Sequence, residues 1–255
     1  MSVIAATMRA ALAEAWSNRS AFWTQVTAIV LNDIVWIVFW VLFFRRVGPM
    51  RGWDGDSVLV LLAVLATSAG ISFGILANGR RIGWFAADGD LDAALSLPVS
   101  TLAYLLVRRV ETVHLGDILF GVVLFAFVGD PTPARIAVYL FGVAVGVAVL
   151  TGFLVLTGSM AFFTGRTTIG DMGFNAMMIL SSYPVDIFVG ASKVLLYSVV
   201  PAAFIAAVPA RLIEDPTAAD ALGGVVAALV FCVGGWVAFS LGLRRYTSGA
   251  AWTRA

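Results

Sequence analysis

The sequence predicts an all-α integral membrane protein with six transmembrane helices, and three observations carry that prediction. Hydrophobic residues make up 61% of the 255 and charged residues only 12%, against roughly 25% charged in a soluble domain. Mean hydropathy is +0.98. The apolar residues also come in long runs, and a bilayer core about 30 Å thick takes roughly 20 residues of helix. The whole chain, 1–255, reads as one transmembrane domain. Besides the spans it has an N-terminal amphipathic surface helix, a cytoplasmic helix between spans 2 and 3, and a broken re-entrant hairpin between spans 5 and 6.

The first element is residues 1–20. "MSVIAATMRAALAEAWSNRS" has no continuous apolar core, because Arg9 and Glu14 interrupt it, so it is expected not to be a cleavable signal. Ile4, Met8, Ala11, Leu12, Ala15 and Trp16 recur at helical spacing, with Arg9, Glu14, Asn18 and Arg19 mostly on the other side. That pattern places a helix along the membrane surface with Trp16 at headgroup level; a disordered leader is the alternative. Five runs then qualify directly as spans: 22–44, 57–77, 110–128, 136–164 and 221–243. The apolar region from Gly170 to Ala210 is broken by Pro184, Pro201 and Pro209. Residues 168–183 are read as the fifth span in chain order, and 185–210 as a re-entrant hairpin, tolerated where protein buries its backbone. Seven spans, with 190–210 crossing fully, is the rival.

Arginine sets the direction. With the N-terminus inside, ten arginines fall on the cytoplasmic side and five outside, Lys193 being unassigned. Six spans return both termini to the cytoplasm, while seven would put Arg244 and Arg245 outside. Arg45, Arg46 and Arg51 run against the rule and are expected to cap the outer end of the first span, with Asp54 and Asp56 as partial counter-charges.

Several chemistries have no support. Net charge is +1 and no basic run exists to bind nucleic acid. Cys232 is the only cysteine, so no intrachain disulfide forms. A phosphate-binding loop needs Gly-Lys-Ser/Thr, and the one lysine lies in "GASKVL"; the chain carries no such ATPase, no cofactor of its own and no assigned catalytic residue. "DGDLDAAL" starts like a calcium loop, but its sixth and twelfth positions are Ala93 and Val99 instead of Gly and Glu. Glu111, His114 and Asp117 in "RRVETVHLGD" would fan across about 120° of a helix, which makes a metal site conceivable. The simpler reading pairs them with Arg108 and with each other, and no metal is assigned.

Polar residues inside spans are costly and carry more weight. Asn32 and Asp33 lie near the middle of the first span, and Asp33, Trp36 and Trp40 share a face. This face is a candidate substrate path, the alternative being an Asp33 paired inside a packed bundle. Asn175 in the fifth span, with Ser181 and Ser182, raises the same question. Gly70, Gly74, Gly142 and Gly146 form small-xxx-small pairs that favour helix packing, and Asp186 and Lys193, seven apart, are placed to pair.

Between the second and third spans, residues 78–109 contain "RRIGWFAADGDLDAALSLPVS". Asp90 is a good N-cap, Asp92 suits a helix start, and Leu91, Ala94 and Leu95 make one apolar face beside Trp84 and Phe85. Pro98 ends the helix, and Ser100 or Thr101 can cap the next. This is the shape of a docking element; a loop resting on anionic headgroups would favour Lys and Arg over three aspartates.

At these residues the chain resembles the ABC-2-type permeases, membrane subunits of ABC exporters, in the bacterial branch with a separate ATPase subunit. "AEAWSNRSAFW" looks like that family's surface helix entering the first span, and "GDLDAALSLPVS" resembles its stretch after the second. "SSYPVDIF" with "VVPAAFIAAVPA" looks like its proline-marked region, and "LRRYTSGAA" its usual ending. The resemblance implies a coupling loop seated in a nucleotide-binding subunit through Arg80, Arg81, Trp84, Asp88, Asp90, Leu91, Asp92 and Leu95. It further implies two ATPase subunits carrying ATP and Mg, a second permease, identical or a sister chain, and outward transport across the bacterial inner membrane. Substrate would pass along the first, second and fifth spans; the outer arginine cluster departs from the pattern. Two other readings stay open: a secondary transporter using Asp33 or Glu111 as proton carrier, and a membrane enzyme built on Glu111, His114 and Asp117.

Overall fold

A computed structural model describes residues 3–247 and is helical throughout. Helix α1 (Val3–Ser17) meets α2 (Arg19–Val47) at Asn18, whose side chain accepts from the Ala21 amide at 3.1 Å. Ala11 of α1 is buried, and the helix packs on α6 (Thr101–Val107). Trp16 turns outward and meets Phe22 edge-on at 4.9 Å.

Helix α3 (Gly55–Ala69) starts at a capping box between Asp54 and Ser57, and a π-helical turn, Gly70–Ile75, extends it. It runs through the middle of the bundle between α7 (Thr112–Val128) and α8 (Pro133–Ser159). Such contact needs small residues at the seam. A Cβ on Gly146 of α8 would lie 2.6 Å from Ser68 Oγ and 2.7 Å from the Ile205 carbonyl oxygen. The Thr67 and Tyr139 hydroxyls hydrogen-bond at 2.5 Å across the same seam.

After α3 the chain makes a tight turn, Ala77–Arg81, then the short helices α4 (Ile82–Ala87) and α5 (Asp90–Leu95). Gly89, at φ 78, sets the turn between them, so α5 begins at Asp90 itself and the cap expected there falls on Gly89. Helices α6 and α7 meet at a 79° bend. Helix α8 continues into α9 (Ala161–Thr164), and α13 (Ala218–Leu243) packs along it. The stretch "LRRYTSGAA" is described only as far as Thr247; its end lies outside the described residues.

Among the described residues four helical stretches are long and apolar enough to cross a membrane, namely Arg19–Val47, Gly55–Ile75, Pro133–Thr164 and Ala218–Leu243, and six are if each bent pair counts as one. The expected third span, 110–128, corresponds to the 17 residues of α7 with α6 set across its base. The expected fifth, 168–183, is α10 (Ile169–Ser181), with 13 residues. At 1.5 Å per residue that is about 20 Å, short of a 30 Å core. Its end has a local cause: Pro184 lacks an amide donor and drives the preceding residue out of helical geometry. The chain continues through a turn, Val185–Ile187, then α11 (Ala191–Ser198), a π-helical turn, Ala203–Ala207, and α12 (Val208–Glu214), bent by 69°. Pro184, Pro201 and Pro209 are all buried in this region.

Candidate functional site

Three polar constellations stand along the bundle. The first surrounds the Ala77–Arg81 turn, which is wedged between α8 and α10: a Cβ on Gly158 would lie 2.2 Å from the Gly79 carbonyl oxygen, and one on Gly170 2.0 Å from that of Arg80. Only glycine admits such backbone approach. Buried Asn78 donates to the carbonyls of Leu106 and Arg109, at 3.0 and 3.1 Å, and so holds the α6–α7 bend. The bend aims Glu111, the N-cap residue of α7, back at the turn. Its carboxylate receives Arg80 at 3.0 Å and Arg81 at 2.6 Å. Arg80 also reaches Asp171 in the first turn of α10, at 3.6 Å, and lies 4.4 Å over the Phe174 ring. One guanidinium thus ties together the turn, α7 and α10.

The residues expected to couple divide into two groups. Arg80, Arg81, Leu91 and Asp90 face inward: Leu91 and Ala94 are fully buried with Ile82, Phe85 and Leu105, and Asp90 pairs with Arg108 at 3.0 Å. The apolar ridge expected on α5 is therefore split. Leu91 and Ala94 anchor the helix, and only Leu95, 42% exposed, remains outside. Trp84 is 41% exposed while its indole donates to Asp171 at 3.2 Å, and Asp88 and Asp92 lie on the surface. Trp84, Asp88 and Asp90 rim a recess with Arg80, Arg81 and Arg109.

The second constellation lies at mid-bundle. A pocket of about 60 Å³ is lined by Asn32, Asp33 and Trp36 of α2, His114, Asp117 and Phe120 of α7, and Ser182 beyond α10, over an aliphatic floor from α3. His114 Nδ1 and Asp117 Oδ2 are 2.8 Å apart, and Asp117 lies within interaction range of Asp33. Asp33 Oδ2 is buried without a hydrogen-bond partner. Trp40 leaves the expected path: it is 1% exposed and packs against Phe44 and Tyr183, at ring distances of 5.7 and 5.8 Å. Asn175 is exposed and does not line the pocket. The pairing of Glu111, His114 and Asp117 with Arg108 is also corrected, since the bend carries Glu111 to Arg80 and Arg81 while Arg108 turns to Asp90. Glu111 and His114 stand 4.0 Å apart, and among the described residues no group of three acids, histidines or cysteines has metal-holding geometry.

At the other end, Asp186 gathers distant partners. It receives the Trp53 indole at 3.0 Å, Lys193 at 2.6 Å and Arg211 at 2.9 Å, while Arg51 donates to its carbonyl at 3.1 Å. Burial pushes this carboxyl up, but the hydrogen bonds from Lys193 and Trp53 and the Arg211 charge outweigh it, and it is held below the usual carboxylate range. The Asp186–Lys193 pair expected from spacing is present. Arg51 serves the hairpin, and Asp54 is occupied with Ser57; no ion pair among the described residues joins Arg45 or Arg46 to Asp54 or Asp56.

Sequence reasoning missed Asp171 as the second acid on Arg80, and it missed Asp33 and Asp117 meeting across two helices. Asp171 carries one readable signal, an acid in the first turn of a helix; the Asp33–Asp117 approach depends on packing and has none. No curated protein and no solved structure matches the chain. Residues 30–250 match the family model described as ABC-2 family transporter protein.

Proposed function

Because the chain belongs to the ABC-2 transporter family, and so is a multi-pass permease subunit of an ABC transporter, we propose that it forms the membrane half of an ATP-driven exporter. Two copies of a separate nucleotide-binding subunit supply ATP and Mg, and a second permease, identical or a sister chain, completes the path. The spans number six, with both termini on the cytoplasmic side of a bacterial inner membrane; the short α10 makes the fifth crossing together with the loop that precedes it, and 185–210 re-enters without crossing.

The observation that carries this reading is the wedged turn with its short helices. Trp84, Asp88, Asp92 and Leu95 project from a unit whose inner residues are locked to α7 and α10. Force applied to α5 by an ATPase subunit passes through Arg80 to Glu111 and Asp171, hence to the two helices that bear His114, Asp117 and the Ser182 turn. Phe174 and Phe73, 4.6 Å apart, continue the contact from Arg80 to His114, which lies 5.3 Å from Phe73. A firm lever between ATPase and pocket is what alternating access requires.

Leu95→Asp tests the docking role, since Leu95 is 42% exposed and stands outside the cluster that buries Leu91 and Ala94. The variant is expected to purify as well as wild type while losing its ATPase subunit or at least tenfold of substrate-stimulated ATP hydrolysis. Retention of both would remove α5 from the contact. A proton-coupled transporter working without an ATPase is the second reading, favoured by the Asp33–Asp117–His114 pocket; flux from the chain alone, insensitive to ATP, would establish it.

A further inference from the structure

We propose that the mid-bundle pocket recognises the protonated amine of an amphipathic substrate, held between Asp33 and Asp117. This deepens the proposed function and rests on the pocket being part of the substrate path.

The lining holds two carboxyl groups, one histidine, one amide and one hydroxyl, and neither lysine nor arginine. Every polar group but one is engaged or neutral. His114 is taken by Asp117, Ser182 donates to the Met178 carbonyl at 2.7 Å, and Glu111, beyond His114, is taken by Arg80 and Arg81. What remains is one oxygen of Asp33: the carboxyl meets Asn32 and Asp117, but its Oδ2 is a buried acceptor without a donor, and Asp117 is itself only 4% exposed. Two carboxyl groups this close in an apolar surround cannot both ionise without strong repulsion, and an ammonium between them offsets that repulsion and meets the open acceptor.

The chemistry of the cation follows from the acceptor. A quaternary ammonium brings charge but no N–H, whereas a primary or secondary ammonium brings both. Trp36 adds an aromatic surface suited to a cation. Size limits what enters: a single water needs roughly 10–15 Å³ by the same measure, so about 60 Å³ admits a small head and not the body that carries it. The body would stay outside the pocket, beyond its α2 rim of Ile29, Asn32, Asp33 and Trp36.

The test uses the purified complex in nanodiscs at neutral pH, with octylamine, octyltrimethylammonium and octanol as probes and empty nanodiscs subtracted. Wild type is expected to bind octylamine saturably, one per permease chain. Octyltrimethylammonium should bind at least tenfold more weakly, and octanol not saturably. Asp33→Asn, checked for intact assembly by size exclusion, should weaken octylamine at least tenfold. Equal binding of octanol, equal binding by Asp33→Asn, or no saturable amine binding in wild type would each overturn the proposal; the last would leave the carboxyl pair as a proton site only. Because the probe series runs on wild type, it stands even if the variant fails to fold. Failure of the wider reading is separately visible, as the absence of a co-purifying ATPase subunit while amine binding persists.

Discussion

The two ends of the bundle solve one problem by different means. At each end a single carboxylate collects two cations: Glu111 binds Arg80 and Arg81, and Asp186 binds Lys193 and Arg211. At the Glu111 end the backbone itself is in contact, because Gly158 and Gly170 let the Gly79–Arg80 carbonyls approach to where no Cβ would fit. At the Asp186 end the glycines serve turns: Gly48, Gly52 and Gly190 have positive φ, and a Cβ on any of them would meet nothing within 4 Å. The lesson is mechanical. Charge and apolar burial of Trp53, Val185 and Leu196 hold the Asp186 end, whereas charge is added to a backbone lock at the other. A lock of this kind transmits displacement, and a clasp of charges can let go.

The sharpest way to break this contrast is one methyl group at each end. Gly170→Ala drives a Cβ into the Arg80 carbonyl and should cost about 3 kcal/mol or more, read as lost folded yield and a lower midpoint of thermal unfolding in detergent. Gly52→Ala meets open space and should cost only the strain of positive φ, about 1–2 kcal/mol. Equal losses would show that the two ends are built alike. Asp186→Asn comes next. Removing one partner of a buried ion pair costs roughly 3–5 kcal/mol, but Lys193 and Arg211 are partly exposed and screened, so about 2 kcal/mol is expected. It should appear as faster proteolysis within 186–200 with no change at the Glu111 end.

The smallest effect is that of pH. The folded Asp186 carboxyl is held below its ordinary value, so the stability it contributes is fully present above the unfolded carboxylate pKa, about 3.9, and is lost as pH falls through the lower folded value. Proteolysis of the hairpin should therefore be flat from pH 7 to about pH 5 and rise only in stronger acid. A rise already between pH 7 and 6 would mean that another group controls the clasp.

How much of this was legible in the sequence follows physical lines. The long helices α2, α3, α8 and α13 fall near the expected apolar runs because a long apolar run without a proline reads directly as helix. Hydropathy does not measure which helix is central. Windows in α2 and α3 have almost equal hydropathy, 2.2 and 2.3, yet 11% of one and 78% of the other is buried. The length of α10 was hidden for the same reason, since the apolar composition runs on past Pro184. At the expected coupling loop, residue types suggested a docking element but not which of its side chains face inward. Leu91 and Leu95 are one turn apart and read as one ridge, and only the packing of Ile82, Phe85 and Leu105 shows that Leu91 is spent inside. Partner choice was the least legible: Arg108 precedes Glu111 by three residues, and the 79° bend between them sends each elsewhere.

Fifteen of the sixteen basic residues are arginine, and the one lysine is Lys193, in the clasp. Among the side chains of this sequence amine-reactive reagents therefore have a single target, and its ammonium is half shielded by Asp186 at 2.6 Å. Its labelling rate is a built-in gauge of that ion pair. A reagent that cannot cross lipid would read the clasp and the sidedness of the hairpin in one trace, without a residue being changed.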